Sequence, residues 1–245
     1  MGKLWSGYSF MDKCLPAGRM GAETKFQGKL LLSILRETKG YVTLFELGAG
    51  WGRLCLTLAG IVDNGIMPFD GYRCLAVEAE PTHYQWAREH FKSQDIKAEL
   101  VHGAVSDKDG WCFFHSHLDP RVHYGQEINQ LFNHGIPSPH NIMNVLTGKT
   151  SMVRTHTVDI LMYKYGFEWL DILQMDIQGA EYKALKGAMC GIKSGKIKNI
   201  LINVHSDKLG FEIKDLLYPY MQLVWDSPRG YRGYNDGYQV WSKNG

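Results

Sequence analysis

The chain has 245 residues, 44% of them hydrophobic and 12% aromatic, with only 21% charged. That composition can bury a full core, which excludes intrinsic disorder, and at roughly 100 to 200 residues per domain it reads as one domain with an elaborated loop region. Lys plus Arg number 27 against 25 Asp plus Glu, a net charge of +2, which excludes the basic footprint of a general nucleic-acid binder and points to a neutral acceptor. The five cysteines, Cys14, Cys55, Cys74, Cys112 and Cys190, show no metal or redox spacing. No run reaches the ~18 apolar residues of a membrane helix, and the N-terminus lacks an apolar signal core, so a cytoplasmic protein without membrane contact is expected.

Residues 1–40 read as an N-terminal helical region. Trp5, Tyr8 and Phe10 there are expected to cover a site or mediate assembly, and a helix over 22–38 repeats Phe26, Leu30, Leu31, Ile34 and Leu35 at helical spacing before Gly40 stops it. A buried strand over 42–47 follows and ends in Gly48-Ala49-Gly50-Trp51-Gly52, after which 53–60 carries a helical apolar face. A second strand over 72–78, a helix over 81–91 opened by a proline, and a third strand over 100–105 come next. From 108 to 151 the chain reads as loop apart from a strand over 111–115, and it holds His115, His117, His123, His134 and His140. A stretch this long without regular structure is usually functional, so it is read as a lid or acceptor-binding insertion. Strands over 170–176 and 200–205 flank a helix over 180–189, and alternating segments over 220–225 and 238–241 predict a terminal hairpin. The alternation of strands and helices predicts an α/β fold, one domain over 1–245.

The glycine segment carries the most chemistry. A strand that turns into a helix through glycines lets a ligand approach bare backbone and the free N–H groups of the helix start. The dinucleotide fingerprint requires G-x-G-x-x-G, whereas Gly48, Gly50 and Gly52 fall at G-x-G-x-G with Arg53 next. Glu46, two residues before Gly48, is expected at the strand end facing the ligand, where it would suit the ammonium and sulfonium of S-adenosylmethionine and repel a pyrophosphate. Glu78, ending the second strand, is placed to accept both ribose hydroxyls. Cofactor contacts are therefore assigned to Glu46, Gly48, Ala49, Gly50, Gly52, Glu78 and its neighbour Ala79, and to Ala104, Val105 and Asp176 at later strand ends. Trp51 is expected to pack on the neighbouring helix.

The ELGAGWG loop, the VEAEP and HGAVSD segments, THTVDIL and above all LQMDIQGAEYKALKGA resemble the FkbM family of S-adenosylmethionine-dependent methyltransferases, over about residues 42–205. The resemblance implies a Rossmann-like class I fold, a seven-stranded and mostly parallel sheet with helices on both faces and a terminal antiparallel hairpin. It also implies methyl transfer to a hydroxyl of a sugar, glycan or natural product. Two family acids are amides here, Gln178 in Asp176-Ile177-Gln178-Gly179-Ala180-Glu181 and Asn203 before Val204-His205. Lost charge disfavours a hard divalent cation, so no metal is assigned, with Asp176, Asn203 and His205 the residues that would hold one.

An alcohol needs a base within hydrogen-bond reach, and the candidates are His205, whose ordinary pKa suits neutral pH, and Asp176. Gln178, Glu181, Asn203, His115 and His117 are assigned to the acceptor, Glu181 having the alternative of complementing its helix dipole. Two rival readings are a methyltransferase for RNA or protein and a non-catalytic cofactor-binding partner of a glycosyltransferase.

Overall fold

The computed structural model describes residues 20–115, 128–129, 143, 146–147, 150–230 and 236–244. In chain order these form α1 (Met20–Ile34), β1 (Gly40–Leu47), α2 (Arg53–Asp63), β2 (Phe69–Glu78), α3 (Pro81–Gln94), β3 (Ala98–His102) and β4 (Ala104–Val105). Then come β5 (Gly110–His115), β6 (Ile128–Asn129), β7 (Thr150–His156), α4 (Val158–Lys164), β8 (Ile172–Met175), α5 (Glu181–Lys186), α6 (Met189–Lys193) and β9 (Asn199–Val204). The chain closes with α7 (Asp207–Leu217), β10 (Met221–Ser227) and β11 (Gly237–Lys243).

Seven strands make the main sheet, in the order β3-β2-β1-β8-β9-β11-β10. Neighbours from β3 to β9 run parallel, and β11 pairs antiparallel with both β9 and β10, forming the expected terminal hairpin. The sheet is buried on both faces, so its strands read as apolar runs whose alternate residues enter different cores. Val42 and Leu44 of β1 join Leu54 and Leu58 of α2 and Leu31 of α1, while Phe45 and Leu47 join Leu161 of α4, Leu185 of α5 and Ile213 of α7. Strand order reverses between β1 and β8, the switch point at which open α/β sheets form their ligand crevice. At the far end of the same pair, Asp171 is 1% exposed and accepts from the Thr43 N–H and hydroxyl at 2.9 Å each and from Trp169 Nε1 at 3.3 Å. Lys198 Nζ lies 2.7 Å from its other oxygen and ties β9 to this knot.

The expected third strand divides at Gly103, leaving β3 in the main sheet and β4 in a second sheet of order β4-β7-β5-β6. A Cβ on Gly103 would stand 2.8 Å from the Arg154 carbonyl oxygen, so the close approach of β7 requires glycine there. The helix expected over 180–189 is also two helices. Between them a Cβ on Gly187 would meet the Ser106 carbonyl oxygen at 2.3 Å, and the chain turns against that loop instead of continuing straight.

Parts of the segment read as a lid form strands. Its start supplies β5, its end supplies the first residues of β7, and β6 pairs with β5. Most of the remainder, with His117, His123, His134 and His140, lies outside the described residues, as do Trp5, Tyr8 and Phe10. No helix among the described residues is long and apolar enough to cross a membrane.

Candidate active site

The loop after β1 and the end of β8 meet in the switch-point crevice. Leu47 pairs with Met175, which sets Gly48 beside Asp176, and the Asp176 N–H donates to the Leu47 carbonyl at 3.0 Å. Gly48 and Ala49 N–H both donate to the Val77 carbonyl of β2 at 3.0 Å, folding the loop across two strands. Gly52 holds φ +82°, and a Cβ there would lie 2.1 Å from the Phe91 ring of α3. Trp51 packs on α3 as expected, 5.4 Å from the His90 ring, and its carbonyl lies 3.1 Å from His90 Nδ1.

The two acids beside this loop differ from one another. Glu46 was expected to face the ligand, but it lies on the Val42–Leu44 side of β1, and its oxygens accept from Leu54 and Cys55 N–H at 2.8 Å each. Its carboxylate therefore caps α2 and fixes the loop from beneath, and burial raises its pKa against those two hydrogen bonds. Glu78 stands at the β2 end, 6% exposed, accepting from Gly50 N–H at 2.6 Å and from Glu80 N–H at 2.7 Å. Burial pushes its pKa up to about 7, the backbone donors opposing. Of the small residues assigned to the cofactor, Ala79 and Ala104 cluster with Cys112, Phe114 and Val153 of the second sheet, and Val105 joins the main core.

Asp176 is the hub of the crevice. Its Oδ1 accepts from Gln178 Nε2 at 3.3 Å and faces His205 Nε2 at 3.2 Å. Its Oδ2 accepts from Asn203 Nδ2 at 3.0 Å and lies 3.8 Å from the Arg53 guanidinium. The two amides standing where family acids are expected thus donate to Asp176, which carboxylates could not do. Gln178 holds φ +54°, a left-handed conformation that costs a non-glycine residue roughly 1–2 kcal/mol, and it reaches Asp176 from there.

Three assignments made from sequence change. His205 is disfavoured as the base at neutral pH: burial opposes its charge, but the nearby Asp176 and Glu181 carboxylates outweigh it and push its pKa up to about 10. Glu181 is fully buried, its Oε1 accepting from Ile177 N–H at 3.0 Å and lying 2.9 Å from His205 Nδ1, so it orients the imidazolium and does not reach an acceptor. Asn203 is fully buried as well and works through Asp176. His115 closes β5 opposite Thr150, with its side chain outside the described residues.

Two residues of the site escaped the sequence reading. Arg53 stands out there only as the residue that breaks the dinucleotide spacing. Asp236, just before β11, brings Oδ2 to 3.7 Å from His205 Nε2, and only the fold places it there. Among the described residues, no group of three or more His, Cys, Asp or Glu side chains is arranged to hold a metal ion.

Strand order, glycine loop and crevice together define a class I methyltransferase fold. It is similar to the crystal structure of an O-methyltransferase from Bacillus cereus in complex with SAH, at 13% identity and a TM-score of 0.51, over 98% of this chain and 90% of that one. A provisionally named O-methyltransferase from Klebsiella pneumoniae gives 15% identity and a TM-score of 0.51, over 100% and 91%. At these identities the likeness is one of fold. The methyltransferase FkbM domain matches residues 66–232, and the chain belongs to that family. A provisionally named methyltransferase of Jannaschia sp. (strain CCS1) is 27% identical over 191 residues, 76% of this chain and 64% of that protein, so the chain spans less than two thirds of that relative.

Proposed function

We propose that the protein is an S-adenosylmethionine-dependent O-methyltransferase whose acceptor is a hydroxyl of a sugar, a glycan or a small natural product. The observation that carries this reading is the convergence, in one crevice, of a glycine loop against the β8 end, the Glu78 carboxylate and the Asp176 carboxylate. The residues present fit the cofactor. Glycines at 48, 50 and 52 leave backbone bare, and the Glu78 carboxylate, fixed by the Gly50 and Glu80 N–H groups at the end of β2, stands where it would meet the ribose hydroxyls. Ala79, which follows Glu78, and Ala104 add small apolar groups to the cluster formed with Cys112, Phe114 and Val153.

When bound, the cofactor supplies a methyl group on a sulfonium that leaves as a neutral thioether. The chain has to align the acceptor oxygen and take its proton. Asp176 is assigned that proton, because it is the partly exposed carboxylate of the crevice hub, while the Asp176 and Glu181 carboxylates favour the protonated form of His205. Asn203, Gln178 and His205 hold Asp176 in place. Among the described residues, Asp176, Glu181, Asp236, His205 and Arg53 form one ionic cluster at this end of the crevice.

Calorimetry with S-adenosylhomocysteine tests the cofactor half of the reading. Binding by the full chain is expected, weakened about 10- to 100-fold in Glu78→Ala, as for lost hydrogen bonds to a charged group. Absence of binding, or binding indifferent to Glu78, contradicts it.

A further inference from the structure

Glu78 is not alone at the end of β2. Glu80, which precedes the proline that opens α3, is 4% exposed against 6% for Glu78, so the fold buries a second carboxylate beside the one assigned to the ribose. Hydrogen bonds tie Glu80 to both of its neighbours. Its N–H donates to Glu78 Oε1 at 2.7 Å, and its side chain turns forward to cap α3, Oε2 accepting from the His83 N–H at 2.6 Å. A cap by itself does not call for this residue. Ser, Thr, Asn and Asp are the preferred N-caps, and the neutral ones among them would close α3 without a second buried charge. A carboxylate there acts on Glu78, because like charges disfavour one another's ionised forms. Burial is the larger cause of the raised Glu78 pKa, the backbone donors oppose it, and the charge of Glu80 adds to it.

We propose that Glu80 is a positioning residue of the cofactor site: its N–H and its cap on α3 hold the Glu78 carboxylate in place, and its charge loosens the grip of Glu78 on the ribose as pH falls below neutrality. The proposal rests on the reading of Glu78 as the ribose carboxylate. On the elements around this strand end the titratable side chains are Glu80, His83 and Tyr84 of α3, and His102 of β3, which pairs with Glu78 in the sheet and has its ring 4.8 Å from that of Tyr84. The Gly48–Gly52 loop carries none, with Glu46 before it and Arg53 after it. Of these groups, Glu80 both touches Glu78 and carries the same charge.

Two measurements on the full chain test it. The Glu78 carboxyl is titrated by NMR in ¹³C-glutamate-labelled protein without cofactor, wild type beside Glu80→Gln and Glu80→Ala, with Glu78→Gln assigning the signal. Glutamine keeps an oxygen for the His83 N–H and removes the charge, so Glu78 is expected to titrate about half a pH unit or more lower than in wild type. Calorimetry with S-adenosylhomocysteine at several pH values follows the consequence. That ligand carries no net charge, so the charge of residue 80 reaches it through Glu78. On the acid side Glu80→Gln is expected to bind about threefold tighter than wild type or more, as the half unit converts, and on the alkaline side to match it. Glu80→Ala loses the cap as well: it should melt about 2–4 °C lower and bind more weakly even on the alkaline side, a loss that glutamine restores. Should Glu80→Gln melt as low as Glu80→Ala, Glu80→Asn supplies a preferred neutral cap and takes its place. A neutral-cap variant in which Glu78 titrates, and the ligand binds, as in wild type overturns the proposal with the cofactor reading intact, whereas no binding by any of the proteins overturns both.

Discussion

Gly48 and Asp176 meet backbone to backbone: a Cβ added to Gly48 would lie 2.0 Å from the Asp176 carbonyl oxygen, at a residue whose φ is +75°. The cofactor loop and the proposed proton acceptor are thereby set by one contact. Gly48→Ala should cost about 2–4 kcal/mol from overpacking and a left-handed alanine together. It should also abolish S-adenosylhomocysteine binding in whatever protein remains folded. Denaturant melts and calorimetry check both, and an alanine variant with wild-type stability would show that the strands are not held this tightly.

His205 gives the fold a distinctive alkaline limb. Its folded pKa of about 10 lies above the ordinary 6.5, so its stabilising contribution is complete below pH 6.5 and is lost as pH rises through 10. Thermal melts from pH 7 to 10.5 should fall, and His205→Gln should flatten that fall. Parallel curves for the two proteins would mean that the imidazolium is not held by Asp176 and Glu181.

Glu78 ties cofactor binding to pH near neutrality. With its carboxyl pushed up to about 7, the ionised form that accepts ribose hydroxyls grows from pH 6 to 8. Affinity for S-adenosylhomocysteine should therefore tighten over that range, by up to about tenfold per unit on the acid side. Tightening that persists in Glu78→Ala would assign the effect to another group.

Much of this was legible in the sequence, for reasons that differ by residue. The glycine loop announces itself because close backbone approach admits no other side chain, and Glu78 because a carboxylate ends an apolar strand after a glycine loop. The orientation of Glu46 was open to the same reasoning, since it shares the parity of Val42 and Leu44 and so faces α2. Helix α7 was also legible, with Ser206 accepting from Leu209 N–H and Leu209, Ile213 and Leu217 four apart, although no helix was read there. What sequence could not carry is the charge state of His205, which depends on the Asp176 and Glu181 carboxylates brought to it by the fold, or the arrival of Asp236 from the hairpin.

Asp171 supplies a control remote from the chemistry. Asp171→Ala would leave the Thr43 N–H and hydroxyl, Trp169 and Lys198 without their common acceptor. A loss of about 2–3 kcal/mol is expected, lowering the melting temperature by roughly 5–10 °C for a chain of this size. Cofactor affinity of the folded protein should stay unchanged, and a comparable loss of affinity would mean that the two ends of β1 and β8 are coupled.

The most direct measurement follows the methyl group itself. Full-length protein is given S-adenosylmethionine labelled on the methyl and a panel of sugars, glycans, small hydroxylated compounds, RNA and protein, beside Asp176→Asn. Label on a hydroxyl oxygen of a neutral acceptor is expected, with kcat about 100-fold or more lower in Asp176→Asn at saturating cofactor. Label confined to RNA or protein, or transfer undiminished by Asp176→Asn, would contradict the assignment.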